Sequence, residues 1–262
     1  MSSDLTITRL SITPVKGLAL HHPDAIDLTR QGAAGDRLFY LVDDTGRLQS
    51  CTRNPGLYGL SASYDTQSRR LEVTRGDEVL LGGVIEPAEP VDTDMWGLHT
   101  ISADAVADPA WSGFFSDLIG RRVRLLMARG AAHDVHPVTL LGTGSVEELA
   151  RRAGVHDIDS RRFRMLIEFS GGEPHVEDSW EATLLEVGDA LVLGGGPVQR
   201  CAATTRNPDS GAVDLQTLRM IRNYRGLQDS VFGLGANLGV YGKVVEPGRV
   251  SVGDRLRVRS AT

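Results

Sequence analysis

The sequence predicts a mainly β chain with a few helices, whose first subdomain, about eighty-five residues long, reads as a small sandwich or barrel. Three observations carry this reading. Apolar runs are short and are separated by clusters of Asp, Gly and Ser that supply turn chemistry. The chain holds 30 glycines and only 5% aromatic residues, which suits many tight turns better than a helical bundle. Helical periodicity with start and stop signals is confined to a few segments.

In chain order, apolar and polar residues alternate from Leu5 and, after a one-residue slip, through Leu10 and Ile12, predicting a bulged strand that ends at Pro14-Val15-Lys16-Gly17. Residues 38–42, the turn Asp43-Asp44-Thr45-Gly46 and residues 47–49 read as a hairpin, and 57–64, 70–74 and 78–85 continue as short strands. Glu86-Pro87-Ala88-Glu89-Pro90 reads as a breaker near the handover between domains, 1–97 and 98–262. A helix is expected over 109–119, with Asp108 as N-cap, Pro109 at the first helical position and Gly120 as the stop. Residues 123–127 and 138–141 are strands, and the capping-box pair Ser145 and Glu148 opens a helix that Gly154 ends. A strand follows over 163–169, then two strands over 184–193 joined at Gly188-Asp189. Asp214 caps a helix to Tyr224, 231–245 is a Gly-interrupted strand, and 250–258 closes the chain as a hairpin.

With 262 residues, 41% hydrophobic and 24% charged, the chain is long enough to bury a core in one large or two small domains. A formal net charge of −6 argues against nucleic acid as a partner. No stretch has the roughly 18 apolar residues of a membrane span and no secretory leader is visible, so a cytoplasmic location is expected. The two cysteines, Cys51 and Cys201, form neither a disulfide framework nor a zinc knuckle.

The stretch 194–211 centres on Cys201, directly after Arg200 and before a polar turn. Positive charge beside a thiol favours metal binding or nucleophilic attack, while a buried, inert cysteine is the competing reading that spacing alone leaves open. Cys51 is expected to pack in a strand of the first subdomain. His133 and His136 have the spacing of a metal pair, but Pro137 argues against a helix face, so they read as hydrogen-bonded loop histidines. Among scattered basic pairs, Arg161-Arg162 abuts Arg164 and stands to extend an anion site or dock an acidic redox partner.

Several words, taken in order, resemble one family. They are Pro14-Val15-Lys16-Gly17, Gly35-Asp36-Arg37, Thr52-Arg53-Asn54-Pro55-Gly56-Leu57, Arg162-Phe163-Arg164, Val176-Glu177-Asp178-Ser179-Trp180, Gly188-Asp189, Arg200-Cys201, Asn207-Pro208-Asp209-Ser210-Gly211 and Val252-Gly253-Asp254. The chain resembles MOSC proteins that carry an added N-terminal β-barrel, which makes the second domain a MOSC-type barrel. The resemblance implies a molybdenum cofactor (molybdopterin) whose metal is ligated by Cys201. It places Lys16, Arg37, Arg164 and Arg200 on the pterin's anionic parts, with Gly17, His136 and Gln199 beside them. The chemistry agrees, because arginine offers phosphate a bidentate fork and a soft thiolate suits a sulfur-bound metal. Four positions depart from the family pattern: Met165-Leu166 replaces Pro-Asn, Gly17 replaces a frequent serine, and Gln199 stands where a small hydroxyl can occur.

The expected function is therefore reduction of small N-oxygenated (N-hydroxylated) substrates such as amidines, amines or bases. The chain has no cluster motif and no flavin or nicotinamide fingerprint, so electrons would come from a separate protein of flavoprotein, ferredoxin or cytochrome type. Two alternatives stand beside it. One is a sulfur carrier or sulfurtransferase with a persulfide on Cys201, and the other is a MOSC-fold biosynthetic enzyme that uses no molybdenum.

Overall fold

The computed structural model describes residues 5–259 and has the mainly β architecture with three helices that the sequence predicts. Seven strands close into a barrel in the order Leu5–Leu10, Ile167–Ser170, Val138–Gly142, Asn237–Glu246, Ala190–Gln199, Leu184–Val187 and Arg255–Val258. One neighbouring pair, Val138–Gly142 with Ile167–Ser170, is parallel. The expected slip in the first strand is a bulge between Ile7 and Arg9. Ile7, Leu10, Leu140, Ile167, Phe169, Leu185, Val192 and Val240 point inward and fill the barrel.

The N-terminal region combines a five-stranded sheet, in the order Leu48–Gln49, Phe39–Asp43, Val123–Ala128, His99–Val106 and Pro87–Met95, with a three-stranded sheet of Ser61–Asp65, Arg70–Arg75 and Glu78–Val84. Their shared core includes Phe39, Leu57, Leu71, Val73 and Leu125, closed by Trp111 and Phe115 from helix α1 (Pro109–Ile119). That helix has the predicted ends. Asp108 accepts from the Ala110 N–H, Pro109 opens the helix, and Gly120 takes the left-handed conformation.

Several local expectations need correction. Residues 87–90 belong to a strand rather than a breaker, because Pro87–Met95 pairs only with His99–Val106 and an edge strand tolerates proline. Helix α2 (Thr143–Ala153) starts ahead of Ser145, whose buried hydroxyl accepts from the His175 N–H at 2.8 Å. Helix α3 (Thr217–Arg225) starts after Asp214, because that carboxylate instead takes both guanidinium nitrogens of Arg162 at 2.7 and 2.8 Å. Residues 160–163 form a 3-10 turn, and the strand begins only at Ile167. The closing hairpin divides, as Gly248–Ser251 pairs with Ala25–Thr29 while Arg255–Val258 joins the barrel. Among the described residues, no helix is long and apolar enough to cross a membrane.

Candidate functional site

A cavity of about 450 Å³ lies where the N-terminal region meets the barrel, and Lys16, Gly17, Arg37, His136, Arg164, Gln199, Arg200 and Cys201 all line it. The structure thus brings these eight residues, drawn from distant parts of the chain, to one place. Asp36 organises the first wall. It is fully buried, accepts from the Thr13 N–H at 2.8 Å and pairs with Arg37, so the words around Lys16 and Arg37 are tied together. Gly17 has φ +98°, and a Cβ there would stand 3.2 Å from the Cys51 nitrogen, so the chain passes close behind the cavity.

Lys16 is 7% exposed; its Nζ donates to the Ala132 carbonyl at 2.6 Å and pairs with Asp134 at 2.9 Å. Burial pulls the ammonium below its ordinary range, while Asp134 opposes that. Burial works to raise the Asp134 carboxyl, yet Lys16, the Trp96 N–H and Arg37 together hold it at about 2. His133, behind this pair, is pushed down to about 4 by burial and then by Arg37, so at neutral pH its Nε2–H donates to the Gln31 carbonyl at 2.9 Å.

The second wall is built differently. Arg164 ends the 3-10 turn with φ +52°, a conformation that turns the chain, and its Nη2 donates to the Leu18 carbonyl at 2.7 Å. Arg200 follows the strand Ala190–Gln199; it lies over the Phe163 ring, donates to the Phe163 carbonyl and reaches Met165 Sδ at 3.2 Å. Its buried Nε has no partner, and burial lowers its guanidinium from the usual arginine range. Cys201 is exposed, with its Sγ 3.8 Å from Thr52 Oγ1. Gln199 lines the cavity while its Oε1 accepts from Ser230 Oγ at 2.6 Å, and a Cβ on Gly235 would fall 2.3 Å from its Cδ. His136 packs edge-on against Tyr241, ring centroids 5.8 Å apart, and burial followed by Lys243 lowers its pKa.

Sequence reading missed part of this constellation. Cys51 sits buried in a turn against the cavity rather than in a strand. Asp134, Trp96, Tyr241 and Phe232 also line the cavity and carried no motif. Arg161 and Arg162 do not extend the anion site, because Asp159 and Asp209 take the first and Asp214 the second. The departure at Met165-Leu166 is milder than its chemistry implies. Leu166 is packed in the barrel core away from the cavity, and Met165 faces Arg200 through sulfur.

The donor set limits what the site can hold. Among the described residues, no three His, Cys, Asp or Glu side chains are arranged around a metal position. A metal at Cys201 must therefore bring its remaining ligands with it. Arg53, Arg164 and Arg200 line the cavity with no carboxylate at ion-pair distance among the described residues. Exposed sulfur beside such arginines fits a metal carried by an anionic organic ligand.

The MOSC N-terminal beta barrel domain model matches residues 4–122 and the MOSC domain model matches residues 128–257. The chain belongs to the MOSC family. It is 30% identical to mitochondrial amidoxime-reducing component 1 of Homo sapiens over 95% of this chain and 81% of that protein. It is 25% identical to the Mus musculus protein of the same name, again over 95% of this chain and 81% of the relative. Among solved structures, the YUAD protein from Bacillus subtilis aligns over 99% of this MOSC chain and 97% of its own, with 16% identity and a TM-score of 0.45.

Proposed function

We propose that this MOSC protein is an oxidoreductase that holds molybdenum cofactor through Cys201 and reduces N-hydroxylated substrates with electrons from a separate redox protein. The observation that carries the reading is one cavity with an exposed thiol and three arginines, Arg53, Arg164 and Arg200, that have no carboxylate at ion-pair distance among the described residues. Amidoxime-reducing relatives supply the substrate class.

In this reading Cys201 Sγ is the protein's metal ligand, while Arg53, Arg164 and Arg200 bind the cofactor's anionic groups. When bound, the cofactor supplies the two-electron couple. Lys16 and Arg37, already neutralised by Asp134 and Asp36, fix the wall rather than add net charge. Substrate enters past the exposed rim residues Trp96 and Phe232. Overall R–NHOH, two electrons and two protons give R–NH2 and water, with the N–O bond broken.

Elemental analysis of protein from a host that makes molybdopterin tests this directly. Wild type should carry close to one molybdenum per chain, Cys201→Ser should lose nearly all of it, and reduced viologen should drive benzamidoxime to benzamidine with wild type alone. Absence of molybdenum despite cofactor supply defeats the reading, and labile sulfane sulfur on Cys201 would replace it with sulfur transfer.

A further inference from the structure

The strands Pro87–Met95 and His99–Val106 are joined by a tight turn in which the Leu98 N–H donates to the Met95 carbonyl at 3.0 Å. Its two central residues, Trp96 and Gly97, have φ +61° and +73°. Such a turn ordinarily takes Asn-Gly or Gly-Gly, and a bulky aromatic side chain at positive φ is disfavoured. The indole is also 42% exposed, so burial does not compensate for the conformation. Trp96 Nε1 donates to Asp134 Oδ1 at 2.9 Å, the oxygen that also binds Lys16 Nζ. The turn's tip is thereby fastened to the cavity by a carboxylate that stays ionised. Phe232, 39% exposed, lines the same cavity from the segment between α3 and the strand Asn237–Glu246. A strained, exposed tryptophan held in place by a charged hydrogen bond points to a binding role rather than a folding role.

We propose that Trp96 is a specificity-determining residue, an aromatic wall at the cavity mouth on which planar aromatic or heteroaromatic substrates stack. The assignment of that ligand as substrate rests on the oxidoreductase reading; the wall itself does not. Ring stacking prefers electron-poor partners on an electron-rich face, and the N–H donated to a carboxylate leaves the indole face electron-rich. Aliphatic analogues of the same functional group gain nothing from such a wall.

Trp111 and Trp180 are each 1% exposed, so fluorescence quenching by an added ligand reports on Trp96. Benzamidoxime and acetamidoxime share the reacting group and differ in the ring, and each is titrated into wild-type protein. Saturable quenching by benzamidoxime at concentrations where acetamidoxime has no effect, abolished in Trp96→Gly, is the expected result. Glycine suits the left-handed turn, so that variant keeps its fold. In steady-state assays, Trp96→Gly should lower the ratio of kcat/KM for benzamidoxime over acetamidoxime by about five- to tenfold, and Trp96→Phe should restore most of that ratio. Equal quenching by both compounds, no quenching, or an unchanged ratio in Trp96→Gly overturns the wall. Ring-selective quenching in a protein that reduces neither compound keeps the wall and overturns the oxidoreductase reading instead.

Discussion

Among the cations that line the cavity, Lys16 and Arg37 each sit against a carboxylate, whereas Arg53, Arg164 and Arg200 have none at ion-pair distance among the described residues. Both sets are held by the same kind of backbone contact, a nitrogen donating to a carbonyl: Ala132 for Lys16, Leu18 for Arg164 and Phe163 for Arg200. The difference lies in charge balance. A neutralised set is part of the fold and keeps its shape without a ligand, while an unbalanced set leaves attraction for an anion that arrives later. The sharpest way to break this comparison is to unbalance the first set. Asp134→Asn leaves the buried Lys16 ammonium with neutral acceptors and no counter-charge, and the variant should lose about 1–3 kcal/mol in urea unfolding, a range reduced because Asp134 is half-exposed. Adding Lys16→Met should recover part of that loss. A neutral Asp134→Asn would mean that the pair contributes nothing and that the two sets do not differ in kind.

Acid should unbalance the same wall without mutation. The His133 pKa is about 4 in the folded protein and about 6.5 unfolded, so the unfolded chain binds the extra proton first and stability falls as pH drops from about 6.5 to 4. His175, also near 4 through burial and then Arg225, adds to the same window from elsewhere in the fold. Asp134 acts lower: its depressed carboxyl contributes stability above about 3.9 that is lost as pH falls towards 2. His133→Gln should flatten the upper part of the profile, and Asp134→Asn only the lower part. Denaturation midpoints at half-unit pH steps separate them. An unchanged slope between pH 6.5 and 4 in His133→Gln would show that the imidazole is not held neutral beside Arg37.

The two walls also differ in how far the sequence revealed them. Alternation and turn chemistry foretold the barrel strands Leu5–Leu10, Val138–Gly142 and Leu184–Val187, and Asp108, Pro109 and Gly120 foretold both ends of α1, because those signals act within a few residues. Lys16, Arg37, Arg164, Arg200 and Cys201 were legible through ordered family words, whereas Arg53 stood in such a word with no role attached to it. Asp134 was not, although it pairs with Lys16 and Trp96, because the partners lie far apart in the chain, 38 residues in the case of Trp96, and only folding makes them neighbours. Asp214 misled for the same reason. Its place before a helix suggested a cap, but a bidentate pair with Arg162, 52 residues away, gave the carboxylate a stronger partner. The strand Pro87–Met95 was hidden by its prolines, which an edge accepts and a central strand does not.

The second wall yields the smallest change in stability and so the cleanest separation of fold from function. Arg200→Met keeps an apolar stem against Phe163 and removes a guanidinium whose Nε has no partner, giving up one bond to the Phe163 carbonyl. Since no carboxylate loses its counter-charge, metal-free protein should unfold within about 1 kcal/mol of wild type or slightly above it. Inorganic pyrophosphate should raise the melting temperature of wild type and have a distinctly weaker effect on the variant, and molybdenum retained through purification should fall severalfold. A loss of stability as large as that of Asp134→Asn, with the pyrophosphate effect intact, would make Arg200 a structural cation like Lys16. The anion would then have to be held by Arg53 and Arg164 alone, one flanked by Thr52 beside Cys201 and the other fixed at the end of the 3-10 turn.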